Sequence, residues 1–201
     1  MSSRPGVVLL LGSALFAAAC DRQAAPPEQA TAQGRAPVSD EVVAAPAPAT
    51  KSEPGTFDRS HKGEAAPAAA FTAPDGRRVT FADFRGKPLL VNLWATWCAP
   101  CVAEMPTLDD AAGKLGDTVR VLAVSQDLDG AAKVAPFFAG RKFRHLQPYL
   151  DPAIALSTAF QANLPVTVLY DARGREVWRR MGGYEWNTPE ALAAIGEATG
   201  A

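Results

Sequence analysis

The chain has 201 residues, 48% of them apolar, and its 20 basic and 21 acidic side chains leave a formal net charge of -1. That length allows one domain with appendages, and the charge balance argues against a nucleic-acid partner and against long-range steering of a strongly polar substrate. The three cysteines, Cys20, Cys98 and Cys101, are too few for a structural disulfide framework.

Met1 to Gly6 carries Arg4, Val7 to Ala19 is apolar with no acidic residue, and Cys20 follows. A basic start, an apolar core of about a dozen residues and a small-residue end read as a secretory signal. The run is short for a membrane-spanning helix, which needs about 20 residues. Ala17-Ala18-Ala19-Cys20 resembles a bacterial lipobox, with Ala17 standing where a leucine is usual. On that reading residues 1–19 are removed and Cys20 becomes a lipidated N-terminus that holds the protein to a membrane. The alternative is ordinary cleavage near Ala19, leaving a spare thiol. Asp21 resembles the residue that retains such lipoproteins on the inner membrane. The expected location is therefore the periplasm, with an inner-membrane anchor through Cys20.

Residues 20–65 are rich in Ala, Pro, Glu, Gln and Ser, and Phe57 is their only aromatic. Such a stretch cannot bury enough apolar surface to offset its ordering entropy. It reads as a disordered tether of about 45 residues with a mean span near 35–40 Å. Residues 66–201 then form the folded domain. His61, inside the tether, receives no role.

Within the domain, Ala69 to Thr72 and Arg77 to Phe81 are short extended runs about Pro74-Asp75-Gly76, a hairpin signal. Phe81 to Phe84 reads as one helical turn. Pro88 to Trp94 is apolar at nearly every position, as a strand buried on both faces should be. A helix is expected from Ala99 to Leu115, with Val102, Met105, Leu108, Ala112 and Leu115 inward, a kink at Pro106 and a stop at Gly116. A parallel strand over Val119 to Ser125 follows. The next helix runs over Gly130 to Ala139, bent at Pro136, with Asp129 as its N-cap. Tyr149-Leu150 is a short strand, and Asp151-Pro152 reads as a cap-then-proline helix start. Val166 to Tyr170 and Arg175 to Arg180 pair about Asp171-Ala172-Arg173-Gly174, with Arg179-Arg180 as a solvated edge. Thr188-Pro189-Glu190 starts the last helix. Trp94 is expected in the core, and Trp178, Tyr184 and Trp186 as packing.

The chemistry is concentrated in Trp97-Cys98-Ala99-Pro100-Cys101, at the junction of strand and helix. A cysteine at a helix N-terminus faces unpaired N–H groups and the positive end of the helix dipole, which favour its thiolate. Cys101 lies one turn on, close enough to close a disulfide. Ala99-Pro100 removes one N–H and pre-sets the helix start. Zinc needs about four ligands, and no second CxxC or paired histidine is present, since His61 and His145 stand alone. No metal site is expected, and no cofactor beyond a redox-active Cys98–Cys101 disulfide. Glu104 shares the helix face of Cys101 and can exchange a proton with it; a solvated surface glutamate is the other reading.

The run VNLWATWCAPC, the following Glu104-Met105-Pro106, and Leu164-Pro165-Val166-Thr167 together resemble the TlpA/ResA-like branch of the thioredoxin superfamily, from about Ala66 onward. That resemblance implies an α/β fold, a thioredoxin-like three-layer sandwich whose mixed central sheet carries an N-terminal β-hairpin. It implies catalytic Cys98, Cys101 and Glu104, with substrate contacts from Trp97, Ala99, Pro100, Leu164 and a cis Pro165. It implies an extracytoplasmic thiol–disulfide oxidoreductase that reduces cysteine pairs of oxidised envelope proteins, in cytochrome c maturation or copper-site assembly. A membrane electron donor of the thioredoxin-relay type would re-reduce it. Two alternatives stay open: a disulfide oxidase or isomerase, and a non-catalytic dithiol module that binds copper or chaperones a client.

Overall fold

The computed structural model describes residues 55–200. The expected secretory signal, Cys20, Asp21 and the first part of the expected tether lie outside the described residues. The elements run in the order β1 (Phe71–Thr72), β2 (Arg78–Val79), a 3-10 turn (Phe81–Phe84), β3 (Leu89–Trp94), α1 (Ala99–Leu115), β4 (Arg120–Ser125) and α2 (Ala131–Arg141), then β5 (Pro148–Leu150), α3 (Ala155–Phe160), β6 (Val166–Tyr170), β7 (Glu176–Met181) and α4 (Pro189–Gly196). All seven strands form one sheet, in the order β2-β1-β5-β4-β3-β6-β7. β3 pairs in parallel with β4 and antiparallel with β6, so the sheet is mixed.

β3 is the hub, and every one of its residues is buried. The strand period of two sends its side chains alternately to two cores. Leu89, Val91 and Leu93 enter a cluster with Phe71, Phe81, Leu156 and Phe160. Leu90 and Trp94 enter the other, with Met105 and Leu108 of α1, Val134 of α2 and Ile195 of α4. Helices therefore cover both faces, giving the three layers expected. Asn92 shares the α1 face with Leu90 and Trp94, so the one polar residue of β3 points at the helix that carries the dithiol.

The local expectations hold at several points and fail at others. The hairpin pairs Phe71 with Val79 and Thr72 with Arg78, and its Asp75 carboxylate accepts from the Arg77 backbone. α1 stops at Gly116, whose φ of 50° is a left-handed value that a side chain would strain. α1 and α2 run on through Pro106 and Pro136. The N-cap of α2 is Gly130, not Asp129. α3 starts at Ala155, later than Asp151-Pro152 suggested. The Asp151 carboxylate still accepts the Ala155 and Leu156 N–H groups, with Pro152 in the turn between. Thr188 caps α4 as expected, accepting from the Ala191 N–H.

Two corrections concern the β7 edge. Residues 55–65, assigned above to the tether, lie along β7. Asp58 bridges Arg179 and Ala65 bridges Arg175 in antiparallel fashion, and Glu176 donates to the Glu64 carbonyl. Arg179 and Arg180 are buried rather than solvated; the added segment takes up the Arg179 backbone and covers the Arg180 guanidinium. Arg179 pairs with Glu176 through two contacts of 2.7 Å, and its guanidinium lies over the Phe160 ring.

Candidate active site

Cys98 and Cys101 are joined in a disulfide, with their Cα atoms 5.3 Å apart. Cys98 is the N-cap of α1 and Pro100 stands in its first turn, so the helix begins at the dithiol. The unpaired N–H groups of that turn favour negative charge on Cys98. Cys98 keeps 6% of its surface and Cys101 none, which makes Cys98 the approachable sulfur. Trp97 beside it is 71% exposed, while Trp94 is fully buried. Ala99 and Pro100 are exposed.

The turn that presents the dithiol is pinned from β4. Asp127 accepts the Thr96 N–H at 2.9 Å and the Thr96 hydroxyl at 2.6 Å. The Ser125 hydroxyl donates to the same carboxylate at 2.8 Å. Leu164-Pro165 is a cis peptide, as the resemblance implied. Leu93 pairs with Val166, so Leu164 and Pro165 lie at the end of the sheet where β3 feeds the dithiol turn. Pro165 is buried and Leu164 half-buried.

Glu104 is not a solvated glutamate. It is 4% exposed. Asn92 Nδ2 donates to its Oε1 at 2.7 Å, and to Thr167 Oγ1 at 2.9 Å. The Tyr184 N–H and Trp186 Nε1 donate to its Oε2 at 2.8 and 3.1 Å. Burial pushes its pKa up from 4.5 to about 7, and these donors, with the charge of Arg180, keep it from rising further. A carboxyl balanced near neutrality can take a proton or give one. It also borders an open cleft of about 490 Å³, lined by Pro100, Ala103, Glu104, Thr107, Tyr184 and Glu185, with Gly183. Gly182, at φ 84°, turns the chain out of β7, and Gly183 then abuts Pro100 closely enough that a Cβ would lie 3.4 Å from its carbonyl oxygen.

The sequence reading missed Asn92, Asp127, Tyr184, Trp186 and Arg180 as parts of the site. A lone asparagine in an otherwise apolar strand was the available signal for Asn92. Tyr184 acts through its backbone, which no side-chain pattern encodes. Among the described residues no group of three or more His, Cys, Asp or Glu is gathered as a metal site. Among them no helix is long and apolar enough to cross a membrane.

Comparison with known proteins bears on this site. The sequence matches the Redoxin family over residues 61–195. The chain belongs to the Redoxin family. This Redoxin-family chain is 34% identical over 77 residues to the thiol-disulfide oxidoreductase ResA of Bacillus cereus, covering 36% of this chain and 44% of that one. It is 33% identical over 89 residues to a thioredoxin of Mycolicibacterium smegmatis, covering 44% of this chain and 70% of that one. Among solved structures, the thio-disulfide isomerase of Thermus thermophilus superposes with a TM-score of 0.58 at 27% identity, over 70% of this chain and 97% of that one. The chain spans less than half the length of the ResA relatives it matches. The fold is thioredoxin-like, with the N-terminal hairpin added at one edge of the sheet.

Proposed function

We propose that this Redoxin-family protein is an extracytoplasmic thiol–disulfide oxidoreductase that reduces disulfides of envelope proteins, held to the membrane through Cys20. The observation that carries the reading is a Cys98–Cys101 pair at a helix N-terminus, with a buried carboxyl one turn further along the same face. The names of the ResA relatives support the chemistry. The apolar Val7 to Ala19 run ending in Cys20 supports the location and anchor.

In the reductive direction the Cys98 thiolate attacks one sulfur of a client disulfide. A Cys98–client bond forms, the client S–S bond breaks, and the other client sulfur leaves as thiolate. Cys101 then gives its proton to the Glu104 carboxylate and attacks Cys98 Sγ. The Cys98–Cys101 bond forms, the mixed disulfide breaks, and the second client thiolate leaves and is protonated. Two electrons pass to the client. A membrane-bound dithiol donor returns the protein to the reduced state by the same exchange. Trp97, Ala99 and Pro100 form the docking rim, and the backbone at Leu164-Pro165 pairs with the client chain in the manner of an added strand. Apocytochrome c haem-attachment cysteines, or the thiols of a copper-site assembly protein, are the expected clients.

Replacing Cys101 with serine removes the resolving thiol. Reduced Cys101→Ser protein incubated with an oxidised CxxCH peptide should accumulate a mixed disulfide on Cys98, seen by mass spectrometry without reductant. A non-catalytic dithiol module gives no adduct, and that result would overturn the reading. A redox titration of the Cys98–Cys101 pair settles direction: a strongly negative midpoint agrees with a reductase, and one near those of periplasmic oxidants reverses it.

A further inference from the structure

Three polar side chains stand in one row across the sheet. Asn92 of β3 is paired with Thr167 of β6, and Thr167 with Arg180 of β7. Directly paired residues share a face, so all three lie on the side covered by α1. Asn92 and Thr167 are hydrogen-bonded to each other, and Asn92 to Glu104. Arg180 closes the row as its one charged member.

Arg180 is only 7% exposed, and its Nε has no hydrogen-bond partner. Its guanidinium instead lies against two aromatic rings that meet edge-on, and is capped by the segment before the domain. It lies 3.8 Å from the centroid of Tyr184 and 5.3 Å from that of Phe57. Its Nη1 donates to the Gly55 carbonyl. Phe57 meets Trp178 at 4.7 Å and Tyr184 at 5.6 Å, both edge-on. Tyr184 meets Trp186 at 5.2 Å. Tyr184 and Trp186 are the residues that donate to Glu104 Oε2. The segment thus sets one ring against Tyr184, the first of the two donors, and holds one cation beside it.

We infer that Arg180, clamped by Gly55 and Phe57, is a positioning residue for exchange: its charge and its stack on Tyr184 tune the ionisation of Glu104, and so couple the end of the tether to the dithiol. The inference deepens the proposed function and rests on its assignment of Glu104. The charge of Arg180 favours the Glu104 carboxylate, a smaller effect than burial and the three hydrogen bonds. The other ionisable groups around Glu104 are Cys98 and Cys101 on α1 and Glu185 in the loop after β7; Asn92, Tyr184 through its N–H, and Trp186 face it as uncharged partners.

The test is a carboxyl NMR titration of Glu104 in the full-length oxidised protein, with the exchange rate against pH measured in parallel. The wild-type inflection is expected near pH 7. Arg180→Gln should move it upward by at least about half a pH unit, since a neighbouring cation favours the carboxylate. Arg180→Lys should recover part of that shift. Phe57→Ala leaves the charge in place but frees the guanidinium from its clamp beside Tyr184, and should shift the inflection in the same direction. An inflection unmoved in folded Arg180→Gln, or in Phe57→Ala should the former fail to fold, would overturn the inference. The functional assignment of Glu104 fails separately, when Glu104→Gln leaves the pH profile of the exchange rate unchanged.

Discussion

Replacing Glu104 with glutamine isolates the cost of placing a carboxylate against the dithiol helix. In the folded protein Glu104 titrates at about 7, against 4.5 for an unperturbed glutamate. Between those values the folded state holds a proton that the unfolded chain has released. Stability therefore falls as pH rises through this window, and levels off above it. The displacement corresponds to about 3 kcal/mol, at 1.36 kcal/mol per unit. Glutamine has no such window and can keep the local bonding. Its carbonyl can accept from Tyr184 and Trp186, where Oε2 now does. Its NH2 would face Asn92 Nδ2, but Asn92 Oδ1 is without a partner. A flip of the Asn92 amide presents that oxygen to the glutamine and to the Thr167 hydroxyl. Urea denaturation of oxidised wild type and Glu104→Gln at pH 5, 6, 7 and 8 measures the effect. The difference between the two should move by about 2–3 kcal/mol in favour of the variant across this range, with other titrating groups cancelling. A difference that stays flat would refute the burial argument.

Asp109 of α1 accepts the backbone N–H groups of Arg144, His145 and Leu146. Asp109→Ala should cost about 2 kcal/mol by orphaning them, read as a lower Tm by thermal circular dichroism; an unchanged Tm would show that water replaces all three. Burial pushes the Asp109 carboxyl up, yet those donors hold it below its ordinary 3.8, so its contribution is present above that pH and fades as pH falls below it. Trp97 is 71% exposed, so Trp97→Ala should leave stability within about 0.5 kcal/mol. It should slow exchange with a protein client about tenfold while sparing a small disulfide, as loss of a docking anchor would; equal slowing of both would place its effect on the dithiol itself.

The site was legible where side-chain chemistry and periodicity carry the information. α1 occupies Ala99–Leu115 as read, because its apolar positions recur at helical spacing, Pro100 sits in its first turn and Gly116 ends it. β3 and the cis Leu164-Pro165 peptide were likewise expected. The β7 region was not. Residues 55–65 attach mainly through backbone hydrogen bonds, to which polar and small side chains give no pattern, and Phe57 was the single apolar sign. Arg179-Arg180 read as solvated because charge implies water unless a cover is known. The Asp127 carboxylate was missed for a related reason: it holds the Thr96 backbone of a segment distant in sequence, a role settled by tertiary approach.

The same backbone bonds along β7 bear on how the protein behaves among its own copies. A sheet has two rims, and an unpaired rim can recruit another chain. At one rim β2 is only two residues long, too little to act as a template. At the other, β7 has six residues, and its outward N–H and C=O groups at Glu176 and Arg179 are taken up by Gly63, Glu64 and Asp58. A chain begun at Ala66 would leave that long rim bare and invite edge-to-edge self-association, so the stretch between the tether and the catalytic fold also serves as a guard against aggregation.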